Sequence, residues 1–297
     1  MKTKNRIRTG AEPMVKIEFF KVCTGGNDFI VIDNRKKFFN VEYQDNLVEM
    51  LCARRFSIGA DGACFIESSD SADYQVKFFS SDGAEQNFSA NGIRAVVRFA
   101  SDKEIAGNKQ RIETKAGVVN GEIIDQLISV EAPKIQKLEM KHELEVPHQF
   151  ESRMVETSFV DFGNRHLVFK VEKISTVDIK GIGYMISNSA KYQPDGIDVT
   201  FYDVIDAHNI NIATYEIGVN NLVYSSGNGA IASALVAEAR KEVSTPLMVH
   251  TWGGLMKLTN KGSSHFIEGE ARVAYDGFIS PEMLNFDIEK ARKKHIG

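Results

Sequence analysis

Cysteine is scarce in this chain: 297 residues carry three, Cys23, Cys52 and Cys64. That number and spacing exclude a disulfide framework and a cysteine-based zinc site. No apolar run approaches the roughly 20 residues that span a bilayer, and no signal-peptide core is present. Neither sign of charge dominates. The net charge is −4 and the basic residues are scattered, which speaks against a nucleic-acid surface. The spacings of G-x-G-x-x-G and of a P-loop are also missing, so a nucleotide cradle is not indicated. What remains is 43% hydrophobic and 26% charged, the balance of a globular protein long enough for two domains. A reduced, cytoplasmic setting is expected, with neither membrane nor nucleic acid as partner.

Self-comparison is more informative than composition. Ser89-Ala90-Asn91-Gly92 recurs as Ser226-Gly227-Asn228-Gly229, Gly26-Asn27 as Gly163-Asn164, and Thr114-Lys115-Ala116-Gly117 as Thr251-Trp252-Gly253-Gly254. One offset of 137 residues relates all three pairs. The chain therefore reads as two copies of one unit, residues 14–150 and 151–297, with the boundary in the polar stretch 145–155. Residues 1–13 are basic, lack a hydrophobic period, and are expected to be a disordered extension. The tail E-K-A-R-K-K-H-I-G reads as a solvated helix end. Each copy opens with β-rich runs, I-E-F-F-K-V and F-I-V-I-D in the first, M-V-E-T-S-F-V-D-F and H-L-V-F-K-V in the second. A further strand then leads into the repeated turn, and an apolar helix follows it, 93–101 in one copy and 230–241 in the other. Such helices are expected inside their own sheets, with the two turns facing each other across a cleft.

A Ser followed by small residues and Asn-Gly at the start of a buried helix leaves backbone N–H groups free to receive a carboxylate or phosphate. Ser89 and Ser226 on opposite sides of one carbon would be placed to move protons between its two faces. Taken singly, each turn is an ordinary N-cap. Their pairing at a fixed offset favours a site.

With these residues in view, the chain resembles the diaminopimelate epimerase family from Val15 onward. The resemblance rests on T-G-G-N-D-F-I-V-I-D (24–33), C-A-R-R-F-S-I-G-A-D-G (52–62), F-F-S-S-D-G-A-E-Q-N-F-S-A-N-G-I-R (78–94), V-D-F-G-N-R-H (160–166), T-Y-E-I-G-V-N-N-L-V-Y-S-S-G-N-G-A (214–230) and T-W-G-G-L (251–255). It implies an α+β fold of two pseudo-symmetric domains, each a mixed barrel-like sheet around a central helix. It also implies inversion of an amino acid's α-carbon with no cofactor and no metal, by one thiolate and one thiol at helix N-termini. A homodimer is compatible with it.

The family's two cysteines fall on Ser89 and Ser226, and a serine hydroxyl without a neighbouring base is a poor acid–base group. Of the other positions that the resemblance assigns to substrate, Asn27, Asn91, Gly92, Asn164, Gly227 and Gly229 keep the family residue, and Asn228 lies among them. His166 and Glu216 are kept as well. Ser80 replaces an Asn, Thr200 another Asn, Arg165 a Pro, Ala90 a Gly, and Ile217 the Arg that binds a distal carboxylate. Loss of that charge-assisted contact would weaken binding of a second carboxylate by on the order of 1.5–3 kcal/mol. Candidate bases are His166, Glu216, Asp82 and Glu85, with His166 favoured because its ordinary pKa suits neutral pH. Two readings follow. One is a cofactor-independent isomerase of a small amino or carboxylic acid with altered chemistry; the other is a non-catalytic binding protein for the same kind of ligand.

Overall fold

The runs I-E-F-F-K-V-C-T and N-D-F-I-V-I-D are dense in β-branched and aromatic residues, which fit a pleated, buried surface. They form the antiparallel pair β1 (Ile17–Thr24) and β2 (Asn27–Asp33). The computed structural model describes residues 16–39, 44–142, 144 and 156–284. The expected extension (1–13), the boundary stretch (145–155) and the C-terminal tail lie outside these. The first half continues through α1 (Gln44–Cys52), β3 (Gly62–Glu67), β4 (Tyr74–Ser80), β5 (Glu85–Gln86), α2 (Ala90–Asp102), β6 (Lys109–Thr114), β7 (Gly117–Ile124), β8 (Leu127–Glu131) and β9 (Lys137–Glu139). The second runs through β10 (Glu156–Asp161), β11 (Arg165–Lys170), α3 (Ile179–Ser187), β12 (Asp198–Asp206), β13 (Asn209–Glu216), β14 (Asn221–Val223) and α4 (Gly227–Ala239). It ends with β15 (Leu247–Thr251), β16 (Gly254–Lys261), β17 (Ser264–Glu270), β18 (Arg272–Ile279) and the short α5 (Pro281–Leu284). Ala90 and Gly227, which open α2 and α4, stand 137 positions apart, as do Gly117 and Gly254, which open β7 and β16.

The result is a mixed α+β fold in which one continuous strand network wraps both central helices. On one side it runs β18–β1–β2–β3–β4–β6–β7–β8. Strand β8 then pairs with β17, and the network continues β16–β15–β13–β12–β11–β10–β9. The last strand of each half thus pairs with the first strand of the other. Two parallel pairs in each run, β2–β3 and β4–β6 against β11–β12 and β13–β15, enclose the helices.

Helix α2 packs against β1, β2, β3, β7, β8 and β18, while α4 packs against β11, β12, β13, β16 and β17. Both helices belong to one hydrophobic core that includes Val96, Phe99, Leu235 and Val236. Phe99 meets Phe20 edge-on at 4.8 Å and is 1% exposed, so its burial contributes about 1.5–3 kcal/mol. The outer face of β2 and β3 is covered by α1, and that of β11 to β13 by α3, through separate apolar clusters. Strand β3 is buried at every position for that reason. Helices α2 and α4 begin three residues earlier than the apolar period alone predicts. The cap lies at Ser89 and Ser226, so the small residues after it already form the first turn. No helix among the described residues is long and apolar enough to cross a membrane.

Candidate active site

The N-termini of α2 and α4 meet between the halves. Ser89 (φ −143°, ψ 109°) and Ser226 (φ −121°, ψ 109°) both hold extended backbone and accept a 3.0 Å bond at Oγ, from the N–H of Gly92 and of Gly229. The asparagine of each helix reaches across. Asn91 Nδ2 donates to the carbonyl of Ser225 and Asn228 Nδ2 to that of Phe88, each at 3.1 Å. Contact is close enough that a Cβ at Gly227 would stand 2.6 Å from Asn91 Oδ1 and 2.8 Å from Ala90 Cβ, so only glycine fits.

Not all the helix-end donors expected to be free are free. Besides the two capped N–H groups, that of Ala90 is taken by Asn228 Oδ1 at 3.0 Å. Among the described residues the N–H groups of Asn91, Gly227 and Asn228 have no protein partner, so the receptor that remains leans towards α4. Asn91 Oδ1 instead accepts from Arg94 at 2.6 Å, while its Nδ2 also donates to Asn27 Oδ1. Arg94 is 1% exposed, and burial lowers its pKa to about 10.

A cavity of about 70 Å³ opens at this junction. Its polar wall comprises Asn27, Asp61, Ser80, Gln86, Ser89, Asn91, Asn164, Asp198, Glu216 and Asn228, with the backbone of Gly218 and Gly227. Its apolar wall is Phe29, Phe78, Phe79, Phe88 and Val219. A larger cavity of about 660 Å³ adjoins it and shares Gln86, Asn164 and Asp198.

Three carboxyls and no cationic side chain line the smaller cavity. Burial, then the charge of Asp198, push Glu216 up to about 8, against a hydrogen bond from Ser226. Burial pushes Asp198 up to about 6, opposed by the Ile217 N–H, 3.0 Å from its Oδ1. Asp61 is also raised, by burial and by Asp28. Both its oxygens are nonetheless occupied, Oδ1 by Arg54 at 2.9 Å and Oδ2 by the side chain of Asn27 at 3.2 Å and the N–H of Asp28 at 3.3 Å.

Eight of the residues singled out in the sequence therefore surround one cavity: Asn27, Ser80, Ser89, Asn91, Asn164, Glu216, Gly227 and Asn228. Ser226 stands just behind, 2% exposed, with its hydroxyl on Glu216. Gly92 and Gly229 serve as the capped N–H groups.

Others lie elsewhere. His166, the base that the sequence favours, does not line the cavity. It is fully buried and stacked on Phe162 at 5.6 Å, and burial pushes it down to about 3, so it is neutral. Its Nε2 is 3.7 Å from Asp198 Oδ2. Thr200 is buried against Thr214 at 3.1 Å and does not reach the cavity. Arg165 and Ile217 line the adjoining cavity, where Arg165 is held by Asp195 at 3.1 Å and by the Gly196 carbonyl at 2.9 Å. Asp82 orders its own turn by accepting from Ser80 at 2.6 Å and from the Ala84 N–H at 3.0 Å, and Glu85 pairs with Lys115 at 2.8 Å.

Sequence reasoning missed Asp61 and Asp198. They too are 137 positions apart, so the offset could have found them. None of the three cysteines lines the cavity, and burial raises the thiol of each, to about 12 at Cys52. No group of three or more His, Cys, Asp or Glu among the described residues could hold a metal ion.

A family model for diaminopimelate epimerase matches residues 19–133. The diaminopimelate epimerase of Methanocella arvoryzae is 33% identical over 279 residues, which cover 90% of this chain and 98% of that one. The chain belongs to the diaminopimelate epimerase family. The enzyme of that name from Aquifex aeolicus is 31% identical, with 91% and 100% of the two chains covered. Solved structures extend the likeness of fold at low identity. A phenazine biosynthesis protein of the PhzF family from Bacillus anthracis gives a TM-score of 0.67 at 14% identity, covering 90% of this chain and all of that one. A hydroxyproline epimerase from Agrobacterium vitis gives 0.67 at 13%, covering 92% and 95%. Membership supports an isomerase of the epimerase and racemase type.

Proposed function

We propose that the protein is a cofactor-independent isomerase that moves a proton at carbon in a small amino or carboxylic acid, without the family's pair of thiols. One observation carries this reading: the Glu216 carboxyl, pushed up to about 8, faces the same small cavity as the unpartnered N–H groups of Gly227 and Asn228. A group that titrates near neutrality can both take and return a proton, and buried carboxyls are tuned this way by desolvation and a like neighbour. The helix end would hold the substrate carboxylate and the negative charge that develops on it. Ser226 orients Glu216, and Ser89 keeps α2 in place as its cap. The substrate is altered from the dicarboxylic one that the family name describes, because Ile217 offers no charge and Arg165 is already held by Asp195.

The second reading, a protein that binds such a ligand without turning it over, draws on a different observation. Both serine hydroxyls already accept a cap bond, and among the described residues Ser89 Oγ has no hydrogen bond to a histidine or a carboxyl. Exchange of α-protons in D₂O, followed by NMR over diaminopimelate isomers and a panel of amino acids, separates the two. Exchange above a boiled control is the expected result. A rise in Tm with one of these compounds but no exchange would replace the isomerase by the binding protein.

A further inference from the structure

The receptor left open where the two helices meet consists of backbone N–H groups, and the cavity in front of it carries three carboxyls and no cationic side chain. A cation does stand behind it. Arg94, one turn into α2, is 1% exposed and stays protonated at neutral pH, since burial lowers its pKa only to about 10. Its guanidinium is packed against two glycines of the other half. A Cβ at Gly227 would lie 3.4 Å from Nη1, and one at Gly269 on β17 would lie 3.1 Å from Nε. The matched residue on α4 is Ile231, also buried, so only α2 carries this charge.

Arg94 has no counter-ion among the described residues. Nε and Nη1 have no hydrogen-bond partner there, while Nη2 donates to Asn91 Oδ1 at 2.6 Å and lies 3.8 Å from Met256 Sδ. The carboxyl whose charge reaches it, Glu270, forms its ion pair with Arg272 instead, at 3.1 Å. Burying a charge that nothing neutralises is costly. This one is aimed at the parts of the receptor itself, Gly227 and Asn91. Asn91 carries the polarisation onward, donating from Nδ2 to the Ser225 carbonyl at 3.1 Å and to Asn27 Oδ1 at 2.6 Å.

Resting on the reading that this helix end holds a substrate carboxylate, we propose that Arg94 is a positioning residue: the fixed counter-charge of that carboxylate, acting from behind Asn91 and Gly227 without touching it. In a buried setting of low dielectric a full charge acts across several ångström, with little screening by salt. The site then selects by charge. A carboxylate gains from Arg94, and an amide of the same shape does not.

The test uses the full chain and two probes of one shape, sodium acetate and acetamide, in thermal melts at an ionic strength held constant with sodium chloride. Acetate should give a saturable rise in Tm, and acetamide none. Arg94→Met keeps the length of the side chain without its charge, and an apolar chain replaces an unpaired buried ion at little cost to folding. It should need a roughly 10–100-fold higher acetate concentration for half the rise. Arg94→Lys and Arg94→Gln lose comparable packing but differ in charge, so the first should keep the acetate response and the second lose it. That pair decides the matter if Arg94→Met does not fold. A native acetate response in Arg94→Met, or equal responses in Arg94→Lys and Arg94→Gln, would overturn the counter-charge and leave the isomerase reading intact. No saturable response to acetate in the native protein would overturn both, because the helix end would then hold no carboxylate.

Discussion

Ser89 and Ser226 cap their helices with the same 3.0 Å bond to the N–H three residues on, yet their surroundings differ at matched positions. By strand register Ser80 answers to Glu216, while Phe29 answers to His166 and Ile231 on α4 to Arg94 on α2. Both halves supply an aspartate to the cavity, but Asp61 is tied to a guanidinium and Asp198 to a single backbone N–H. Backbone at the two ends is fixed by short-range demands: a hydroxyl cap, an asparagine that crosses the junction, and room for the helices to touch. These demands are alike in the two halves. The cavity wall is set by whichever side chain the strand beside each helix presents, and there the halves have separated. Two similar helix ends therefore frame a site whose proposed proton carrier, Glu216, has only the Ser80 hydroxyl at the matched position.

The largest expected effect comes from removing that carrier. Glu216→Gln should lower turnover on the order of 10²–10⁴-fold in a solvent-exchange or isomerisation assay. It should also change how stability depends on pH. The folded protein holds the Glu216 proton up to about 8, whereas the ordinary value is 4.5, so the folded state binds more protons than the unfolded state in between. Stability then falls as pH rises from 4.5 through 8, and Glu216→Gln should flatten that fall in thermal melts across the same range. In the native protein, activity should rise with pH towards 8 as the base form appears. Phe79, which lines the cavity from β4, should behave as packing. Phe79→Ala should cost about 3–5 kcal/mol of stability, read from denaturant midpoints, because it opens a hole against Phe65.

Much of this frame was legible in the chain. The β-branched runs gave strands where expected, and the helices after the repeated turns lie inside the sheets. Eight of the residues named from the two turns and from the family resemblance line one cavity. What stayed hidden depends on contacts distant in sequence. In R-H-L-V-F-K nothing tells which neighbours His166 will meet; β11 places it under Phe162, where burial removes its charge. The exchange of end strands, β9 onto β10 and β18 onto β1, has no local signal because a largely exposed strand looks the same whichever partner it joins. Asp198 carries no signal of its own, because a lone aspartate at the start of an apolar strand is commonplace. Its importance comes from Glu216 arriving on the neighbouring strand.

A middle-sized effect should come from Asp198→Asn. Its charge is the second cause of the raised Glu216 value, after burial, so removing it should move the alkaline rise in activity to lower pH. A shift to higher pH would mean that Asp198 supports Glu216 through its hydrogen bond to Ile217 rather than through repulsion.

The smallest effects bear most directly on the two caps. Ser89→Ala and Ser226→Ala each remove one bond to a helix N–H, and each should cost about 0.5–2 kcal/mol in unfolding experiments. On stability alone the two ends should be hard to tell apart. Their separation should appear in the pH profile of activity. The Ser226 hydroxyl donates to Glu216 and holds its value down, so Ser226→Ala should carry the alkaline rise to higher pH. Ser89→Ala has no such partner to release and should leave the midpoint in place while turnover falls with the fraction folded. Equal shifts from both variants would mean that a carboxyl couples to Ser89 as well, and the contrast between the two ends would then lie in packing rather than in proton transfer.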